Sequence, residues 1–492
     1  MNKYIIIHQI DTVGVALHPL KKGEVVNGIT LLDDIPQAHK FALKDIKVNE
    51  DIIKYGMPIG HATKDILVGE HVHTHNVETN LDDVITYSYE PNYPEVLGYK
   101  SDRTVEVYER FNGECGIRNE LWIVQTVGCV SGMANRIIEN FKSKYDTSSI
   151  DGVYTFQHPF GCSQMGSDLT LTRTLLQDIV KHPNAGGVLV LGLGCEENLV
   201  STFKETLGDY DKSRVRFLVA QEVADEVEVG TKLLKELFDN MKEDKRVTKP
   251  LSVLRIGLKC GGSDGMSGIT ANPLLGRLSD FLSINGATTV LGEVPEMFGA
   301  EKLLMARAKD EETFEKIVEL INDFKVYFKN HNQVIYDNPS PGNKKGGITT
   351  LEDKSLGCTQ KGGAAIVQDV LKMGERIKVN GLNLLCTPGN DLIATTTLGC
   401  AGCQMVLFTT GRGTPFGGFV PTMKIATNSS LANMKQNWID FNAGVLVDEK
   451  NMDETLEEFI DLICDVASGK KQTKNEINNF REISIFKDGV VL

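Results

Sequence analysis

Residues 188–196 have the sequence Val-Leu-Val-Leu-Gly-Leu-Gly-Cys-Glu, an apolar run that leads directly into glycine, a thiol and a carboxylate. A continuous apolar run of this length indicates a strand buried on both faces, as in a parallel sheet. Seven similar runs follow residue 110, separated by helix-length amphipathic segments: Leu121–Val127, Val153–Phe156, Val215–Ala220, Leu251–Leu258, Thr288–Leu291, Leu382–Leu385 and Met405–Phe408. This alternation predicts a large, Rossmann-like α/β region with parallel strands.

The rest of the chain is organised around this α/β region. Residues 1–86 alternate short apolar segments with turn residues, which predicts a small β-rich domain. Residues 87–109 begin with a stretch rich in proline, tyrosine and polar residues, which predicts a linker. His331–Gly363 is rich in Asn, Pro, Gly and Lys, and this interruption predicts two lobes, residues 110–330 and 331–492.

The composition of the 492-residue chain is typical of a globular protein with two or three domains, with 41% hydrophobic and 24% charged residues. A net charge of −14, without blocks of Lys and Arg, argues against nucleic acid and membranes as partners. The apolar runs are too short to span a bilayer, and residues 1–11 do not resemble a secretory signal. Ten scattered cysteines then favour reduced thiols over disulfides. We therefore expect a cytoplasmic protein that binds a small molecule.

Nearly every predicted strand runs into glycine followed by polar or thiol residues, as in Gly128-Cys129, Gly161-Cys162-Ser163-Gln164 and Lys259-Cys260-Gly261. Ligands of parallel sheets bind at the carboxyl ends of the strands, so these loops are expected to meet at one edge. The alternative is that glycine only caps the strands. Gly192-Leu193-Gly194 has Glu197 where a dinucleotide fingerprint has its third glycine, and no phosphate-loop motif occurs. A nicotinamide cofactor and phosphoryl transfer are therefore not expected.

Three histidines of the small domain occupy alternate positions in His71-Val72-His73-Thr74-His75. On a strand, side chains with this spacing project from one face. A triplet of neutral imidazoles suits iron, manganese or zinc, and a carboxylate or substrate oxygen could complete the coordination. The alternative is an exposed polar strand face without a ligand. His39 is isolated in the sequence and carries no such argument.

Cysteines offer a second possible metal site. Five of them are predicted at loop tips, where they could bind an iron–sulfur cluster: Cys129, Cys162, Cys195, Cys260 and Cys358. Their spacing follows no cluster motif. Cys400-Ala401-Gly402-Cys403 has no second pair to accompany it, and buried thiols are favoured there.

Several charged residues stand beside strand ends or glycine-rich loops: Arg118, Lys259, Glu293, Glu296, Lys361 and Arg412. Arginine suits a clamp for a carboxylate. Burial of Lys259 would lower its pKa and allow it to act as a base, whereas a solvated lysine is the alternative.

Motifs along the whole chain form a recognisable combination. They include residues 116–129, Gly161-Cys162-Ser163-Gln164, residues 182–196, Cys260-Gly261-Gly262-Ser263-Asp264-Gly265, residues 268–273, residues 296–301, residues 338–343, Lys354-Ser355-Leu356-Gly357-Cys358-Thr359-Gln360 and residues 408–418. Together they resemble the altronate/galactarate dehydratase family. Residues 69–76 are similar to the small β-clip (SAF) domain that this family joins to its α/β part.

The resemblance implies a sugar-acid dehydratase that depends on Fe²⁺ or Mn²⁺, takes part in hexuronate breakdown and forms a homo-oligomer. The match is closest to the altronate branch, which implies conversion of D-altronate into 2-dehydro-3-deoxy-D-gluconate and water. Galactarate dehydration is the nearest alternative, because the two branches share these motifs. An iron–sulfur-dependent hydro-lyase and a non-catalytic sugar-acid-binding protein are further alternatives, although the sequence contains no output module that a sensor would need.

Candidate roles follow from the chemistry of dehydration, in which a C2 proton beside the carboxylate is removed and the C3 hydroxide leaves. The predicted metal ligands are His71, His73, His75 and Glu293. The predicted proton carriers are Lys259, His158 and His75. The predicted substrate-binding residues are Arg118, Asn119, Ser163, Gln164, Asn390, Asp391 and Arg412.

Overall fold

The computed structural model of the chain describes residues 2–81 and 84–492. A small β-rich domain comes first, a four-stranded parallel sheet follows, and a seven-stranded parallel sheet forms the largest part. A mixed α/β architecture with an N-terminal β domain is therefore confirmed. Within the described ranges, none of the helices combines the length and the apolar character that a membrane span requires.

The small domain consists of short antiparallel strands, because turn residues interrupt its apolar segments every few positions. The strands are β1 (Tyr4–Ile5), β2 (Val13–Ala16), β3 (Val25–Val26), β4 (Ile29–Thr30), β5 (Lys40–Ala42), β6 (Asp51–Lys54), β7 (Met57–Ala62), β8 (His71–Val72) and β9 (Val77–Glu78). They form a sheet with the order β1-β2-β5-β8, a sheet with the order β6-β7-β9 and the hairpin β3-β4. Ile52 and Ile59 of this domain pack in one apolar cluster with Ala300 and Leu356 of the large part.

Residues 84–103 form neither helix nor strand and lie against the seven-stranded part. The Tyr87 hydroxyl donates to Glu301 Oε1 at 2.6 Å, and the Ser101 N–H donates to Asn285 Oδ1 at 2.9 Å. The predicted linker, residues 87–109, coincides with this segment at residues 87–103. The next strand begins at Thr104, inside the predicted linker.

The second part contains four parallel strands with the order β13-β12-β14-β15. Its strands are β12 (Glu120–Gln125), β13 (Gly152–Thr155), β14 (Ala185–Gly192) and β15 (Val215–Val219), and its helices are α1 (Ser131–Lys144), α2 (Gly166–Val180), α3 (Val200–Thr206) and α4 (Glu226–Met241). Apolar clusters cover both faces of this sheet, as the continuous apolar runs predict. A small antiparallel sheet beside it contains β10 (Thr104–Glu109), β11 (Cys115–Gly116) and β16 (Val247–Pro250).

The third part contains seven parallel strands with the order β19-β20-β18-β17-β21-β22-β23. They are β17 (Arg255–Cys260), β18 (Thr288–Leu291), β19 (Val367–Leu371), β20 (Gly381–Leu385), β21 (Met405–Thr410), β22 (Thr422–Ala426) and β23 (Phe441–Asn442). The helices are α5 (Ala271–Ile284), α6 (Glu301–Met305), α7 (Glu311–Asn330), α8 (Pro341–Lys345), α9 (Leu351–Cys358), α10 (Asp391–Cys400), α11 (Ser429–Met434), α12 (Met452–Ala467) and α13 (Lys474–Ile477).

The division between the two parallel sheets differs from the predicted lobes. Strands on both sides of residue 330 belong to the seven-stranded sheet, so the chain passes between sheets at residues 250–255 instead. The segment His331–Gly363 does not separate lobes. It folds into loops and the helices α8 and α9, which lie beside the strand-end loops of this sheet.

Helix α9 holds the small domain through two consecutive acidic residues. Glu352 accepts a hydrogen bond from Thr79 Oγ1 at 2.8 Å. Asp353 forms ion pairs of 2.8 Å with both Lys40 and Lys54, and these three side chains are at most 2% exposed. Burial disfavours the ionised carboxylate, but the two ammonium groups outweigh it and hold the pKa of Asp353 well below its usual range. The buried ion pairs of Asp353 with Lys40 and Lys54 therefore hold the small domain against α9.

Candidate active site

The carboxyl edge of the seven-stranded sheet encloses a cavity of about 470 Å³. Loops after β17, β18 and β20 form it together with the segment that leads into α8, and its polar lining includes Cys260, Glu296, Ser340, Asn343, Lys354 and Asp391. This is the edge at which ligands of parallel sheets bind. The predicted convergence of strand-end loops is thus observed for this sheet.

Lys259 lies at the end of β17 and is fully buried between two carboxylates. Its Nζ is 2.6 Å from Asp391 Oδ1 and 3.0 Å from Glu293 Oε1. Burial alone would lower the pKa of Lys259, but the charges of Glu293 and Asp391 outweigh burial and raise it above its usual value. The prediction of a lowered pKa is therefore wrong, and Lys259 is an ammonium group at neutral pH.

A second buried cluster lies next to Lys259 and its two carboxylate partners. Glu296 Oε2 accepts from the thiols of Cys260 at 2.9 Å and Cys358 at 3.2 Å, and Glu296 Oε1 is 2.6 Å from Lys354 Nζ. Burial opposes ionisation of Glu296, but Lys354 and Lys361 lower its pKa to about 2. The hydrogen bond to Cys260 and burial raise the pKa of the Cys358 thiol, which stays protonated. The sequence does not connect these residues, although it predicts Glu296 beside a strand end and Cys260 and Cys358 at loop tips.

The histidines of the small domain form a group whose membership differs from the predicted triplet. His39, His71 and His73 have ring nitrogens that lie close enough to share one metal ion, and His39 Nδ1 is 3.0 Å from His71 Nε2. Strand β8 ends at Val72, so the alternation of side chains does not continue to His75. His75 is exposed, with its ring 5.4 Å from that of His71.

His39 enters the group because β5 pairs with β8. The antiparallel register joins Lys40 to Val72, which brings His39 opposite His73 with ring centroids 4.7 Å apart. Burial and the neighbouring positive charges lower the pKa of His71 to about 4 and that of His73 to about 3, so both rings are neutral. His73 Nδ1 is buried and has no hydrogen-bond partner among residues 2–81 and 84–492.

Helix α8 contacts both this histidine group and the cavity. His39 Nε2 contacts the Lys345 carbonyl at 3.3 Å, while Ser340 and Asn343 at the other end of the helix line the cavity. Glu293, a predicted metal ligand, contacts Lys259 and the Cys260 N–H instead. The structure therefore does not bring Glu293 together with the histidines.

Three predicted substrate-binding residues lie at or beside the cavity. Asp391 lines it. Asn390 caps α10, and its side-chain Oδ1 accepts from the Leu392 and Ile393 N–H groups. Arg412 is exposed and packs beside Gly262 and Gly342. Within the described residues Arg412 has no carboxylate partner, so its guanidinium is available to an anion.

Other predicted site residues belong to the carboxyl edge of the four-stranded sheet. Ser163 and Gln164 follow β13, and His158 lies in the same loop. His158 Nε2 contacts the Gln125 carbonyl at 2.9 Å and its Nδ1 accepts from the Phe160 N–H at 3.2 Å. Both ring nitrogens of this buried histidine are occupied, which does not fit the predicted role in proton transfer.

Arg118 and Asn119 lie at the amino end of β12, opposite to the edge where ligands bind. Arg118 forms two hydrogen bonds with Glu476, at 2.7 and 3.0 Å, and both side chains are at most 2% exposed. The Asn119 amide donates to the Met241 carbonyl at 3.0 Å. These two predictions need correction, because both side chains hold the fold together and do not face a cavity.

We expect Arg118→Met to lower the free energy of unfolding by about 3–5 kcal/mol, because it leaves Glu476 as a buried, unpaired charge. KM for substrate should stay unchanged. Urea unfolding and steady-state kinetics would check this. Arg216→Met, which removes the partly exposed pair with Glu236, is the control and should cost about 1 kcal/mol or less. A raised KM without loss of stability would contradict the structural role.

The three parts of the structure match three family models. The model described as "Altronate/galactarate dehydratase SAF domain" matches residues 2–80, "D-galactarate dehydratase/Altronate hydrolase, second domain" matches residues 107–242, and "D-galactarate/Altronate dehydratase, C-terminal" matches residues 251–491. The chain belongs to the altronate/galactarate dehydratase family. The resemblance noted in the sequence is therefore confirmed, as is the SAF-type small domain of this family.

Relatives in the altronate/galactarate dehydratase family match over nearly the whole chain. The altronate dehydratase of Escherichia coli (strain K12) is 58% identical over 495 residues, and that of Bacillus subtilis (strain 168) is 56% identical over 498 residues, with all of both chains covered in each case. The galactarate dehydratase (L-threo-forming) of Escherichia coli (strain K12) is 34% identical, covering 96% of this chain and 94% of its own. The chain is thus an enzyme of the hydro-lyase class.

Proposed function

We propose that this enzyme converts D-altronate into 2-dehydro-3-deoxy-D-gluconate and water, as a step of hexuronate catabolism. The observation that carries the proposal is the full-length similarity, at 56–58% identity, to altronate dehydratases of two organisms. The cavity supports it because Lys259 and Lys354 already have carboxylate partners, which leaves Arg412 to bind a carboxylate.

We assign the substrate contacts to groups around the cavity. Arg412 and the backbone N–H groups of the loop after β17 would bind the carboxylate, and Asp391 with Asn390 would bind hydroxyl groups. The Lys259 ammonium, held by Asp391, would donate a proton to the departing C3 hydroxyl. His75 is our candidate for accepting the C2 proton, since its exposed imidazole makes no hydrogen bond with the described part of the chain.

The cofactor that we propose is Fe²⁺ or Mn²⁺, with His39, His71 and His73 as the protein ligands. The fit rests on the neutral state of His71 and His73 and on the buried His73 Nδ1, which lacks a partner among the described residues. A divalent ion held by these residues would supply positive charge next to the substrate, where negative charge develops as the C2 proton leaves. The alternative group, Cys260 with Glu296 and Cys358, satisfies its own hydrogen bonds and fits a cation less well.

We expect His39→Ala to weaken Mn²⁺ binding by at least about 10–100-fold, since loss of a ligand should cost no less than loss of a partner that only orients one. His75→Ala is the matched control. In His75→Ala the affinity for Mn²⁺ should stay within about twofold of the wild-type value, because this ring is outside the ligand group. Turnover should fall, because His75 is the proposed acceptor of the C2 proton. Titration of the metal-free protein followed by electron paramagnetic resonance separates the two effects. An equal loss of affinity for Mn²⁺ in both variants would instead support His75 as a ligand, as predicted from the sequence.

The proposed reaction is tested by measuring keto-acid formation from D-altronate and, separately, from galactarate. The protein is stripped of metal under anaerobic conditions and resupplied with Fe²⁺ or Mn²⁺. Metal-dependent turnover of altronate alone supports the proposal. Turnover of galactarate at a comparable rate would move the enzyme to the other branch of the family, and inactivity on both would refute the assignment.

We also propose that the enzyme is cytoplasmic and forms a homo-oligomer. All ten cysteines are free thiols, which suits a reducing compartment. The oligomer is expected from the family. Cell fractionation and light scattering of the purified protein test these two proposals.

A further inference from the structure

Three Gly-Cys pairs end three adjacent strands of the four-stranded sheet. Gly128-Cys129 follows β12, Gly161-Cys162 follows β13 and Gly194-Cys195 follows β14, with β12 between the other two. Adjacent strands lie about 4.8 Å apart, so the three loops occupy one short stretch of the sheet edge. These three cysteines are exposed, whereas the other seven are buried or half-buried.

The three loops are fixed to one another by hydrogen bonds. The Gly128 N–H donates to the Phe160 carbonyl at 2.9 Å, which joins the loops after β12 and β13. The Ser163 N–H donates to Glu197 Oε2 at 2.6 Å, which joins the loops after β13 and β14. A Cβ atom at Gly161 would lie 2.1 Å from the Thr126 carbonyl oxygen, so this close approach requires glycine. The three loops that carry the thiols are therefore fixed relative to one another.

The surroundings of the thiols favour an anionic ligand set. Helices α1 and α2 begin shortly after Cys129 and Cys162, and neither has a side-chain cap at its N-terminus within the described chain. Helices α4, α7 and α10 are capped by Asp or Asn side chains. The first N–H groups of α1 and α2 are thus left to stabilise negative charge, as thiolate ligands of a metal centre would provide.

Gln164 provides an independent indication of a ligand. Its side chain is 3% exposed, and its Oε1 accepts from the Gly161 N–H at 2.9 Å, which places the amide beside Cys162. The Nε2 of Gln164 is buried and has no hydrogen-bond partner in the described part of the structure. Leaving a buried donor unpaired costs about 1–3 kcal/mol, so an acceptor is expected next to it.

We propose that Cys129, Cys162 and Cys195 bind an iron–sulfur cluster through three thiolates, with Gln164 donating a hydrogen bond to a cluster sulfide. Three thiols lose their protons as three iron–sulfur bonds form, and the cluster assembles from two ferrous ions, two ferric ions and four sulfide ions, so that no electrons pass to or from the protein. Because these loops carry only three cysteines in the described structure, one iron would have no thiolate ligand and would be open to a carboxylate or hydroxyl oxygen of a hydroxy acid. This centre is separate from the histidine group of the small domain.

The test uses the full-length protein, reconstituted anaerobically with equal amounts of ferrous and ferric iron and with sulfide, and then desalted. We expect about four iron and four acid-labile sulfide atoms per chain, with visible charge-transfer absorbance. Cys129→Ser, Cys162→Ser and Cys195→Ser should each lower the sulfide content severalfold, with unchanged thermal midpoints because these side chains are exposed. Cys464→Ser, on α12, is the matched control and should retain the full cluster content.

The result that overturns the proposal is a wild-type protein that retains no sulfide, or one that binds iron at these cysteines without sulfide. Equal cluster content in the wild type and all three variants would also overturn it. Because the readout is sulfide and not turnover, the outcome does not depend on whether altronate is the substrate.

Discussion

Asp391→Asn is expected to lower kcat for keto-acid formation from D-altronate by about 10²–10⁴-fold, the range of a general acid or base. The substitution keeps the shape of the side chain but removes the charge that is 2.6 Å from Lys259 Nζ. It should therefore disturb the position and protonation of the ammonium group without opening a void. Steady-state kinetics at saturating metal measures the loss.

The control for Asp391→Asn is Asp369→Asn, which removes a carboxylate that lies 3.3 Å from Lys316 and is not part of the cavity lining. This control should keep wild-type activity. Lys259→Met and the double variant Lys259→Met/Asp391→Asn should lose about as much as Asp391→Asn alone, because groups that act as a unit are not additive. If the losses multiply, or if Asp391→Asn remains fully active, Asp391 and Lys259 do not work as a pair in the reaction.

Asp353→Asn is expected to lower the free energy of unfolding by about 3–5 kcal/mol, which is a large fraction of the stability of a typical domain. The variant leaves Lys40 and Lys54 as buried ammonium groups without a counter-charge. Urea unfolding and limited proteolysis of the small domain would measure the loss. Asp34→Asn, which breaks the exposed pair with Lys21, should produce no measurable change.

The Asp353 contribution also has a defined pH dependence. Because the pKa of the folded-state carboxylate is held below its usual value, its stabilisation is present above the unfolded pKa of about 4. It is lost as the pH falls below that value, since the unfolded chain then takes up the proton first. The stability difference between wild type and Asp353→Asn should therefore narrow below about pH 4. A difference that stays constant down to low pH would show that the carboxylate is not ionised in the fold.

The sequence predicts the parallel strands well where apolar runs are buried on both faces. The run Leu382–Leu385 lies within β20, and Val188–Leu193 overlaps β14. The strand β22, Thr-Met-Lys-Ile-Ala, was not predicted because Thr422 and Lys424 interrupt its apolar pattern. Both polar side chains are buried in the folded protein. Burial of such groups depends on partners from distant segments, which periodicity does not report.

The candidate site could be predicted in part. The sequence predicts site roles for both Lys259 and Asp391, yet their contact joins residues 132 positions apart, and no local pattern indicates it. The sequence carries no argument for His39, because its role depends on the pairing of β5 with β8. Arg118 could have been excluded from the sequence alone. It precedes its strand, whereas ligands of a parallel sheet bind where strands end.

Three consecutive residues of α9 divide their contacts between two parts of the protein. Glu352 and Asp353 hold the small domain, while Lys354 pairs with Glu296 at the cavity. Recombination between family members is therefore constrained: a chimera that takes its small domain from a relative should remain active only if that domain supplies groups equivalent to Lys40, Lys54 and Thr79. We therefore expect the small domain and the part of the chain that contains α9 to be inherited together in evolution.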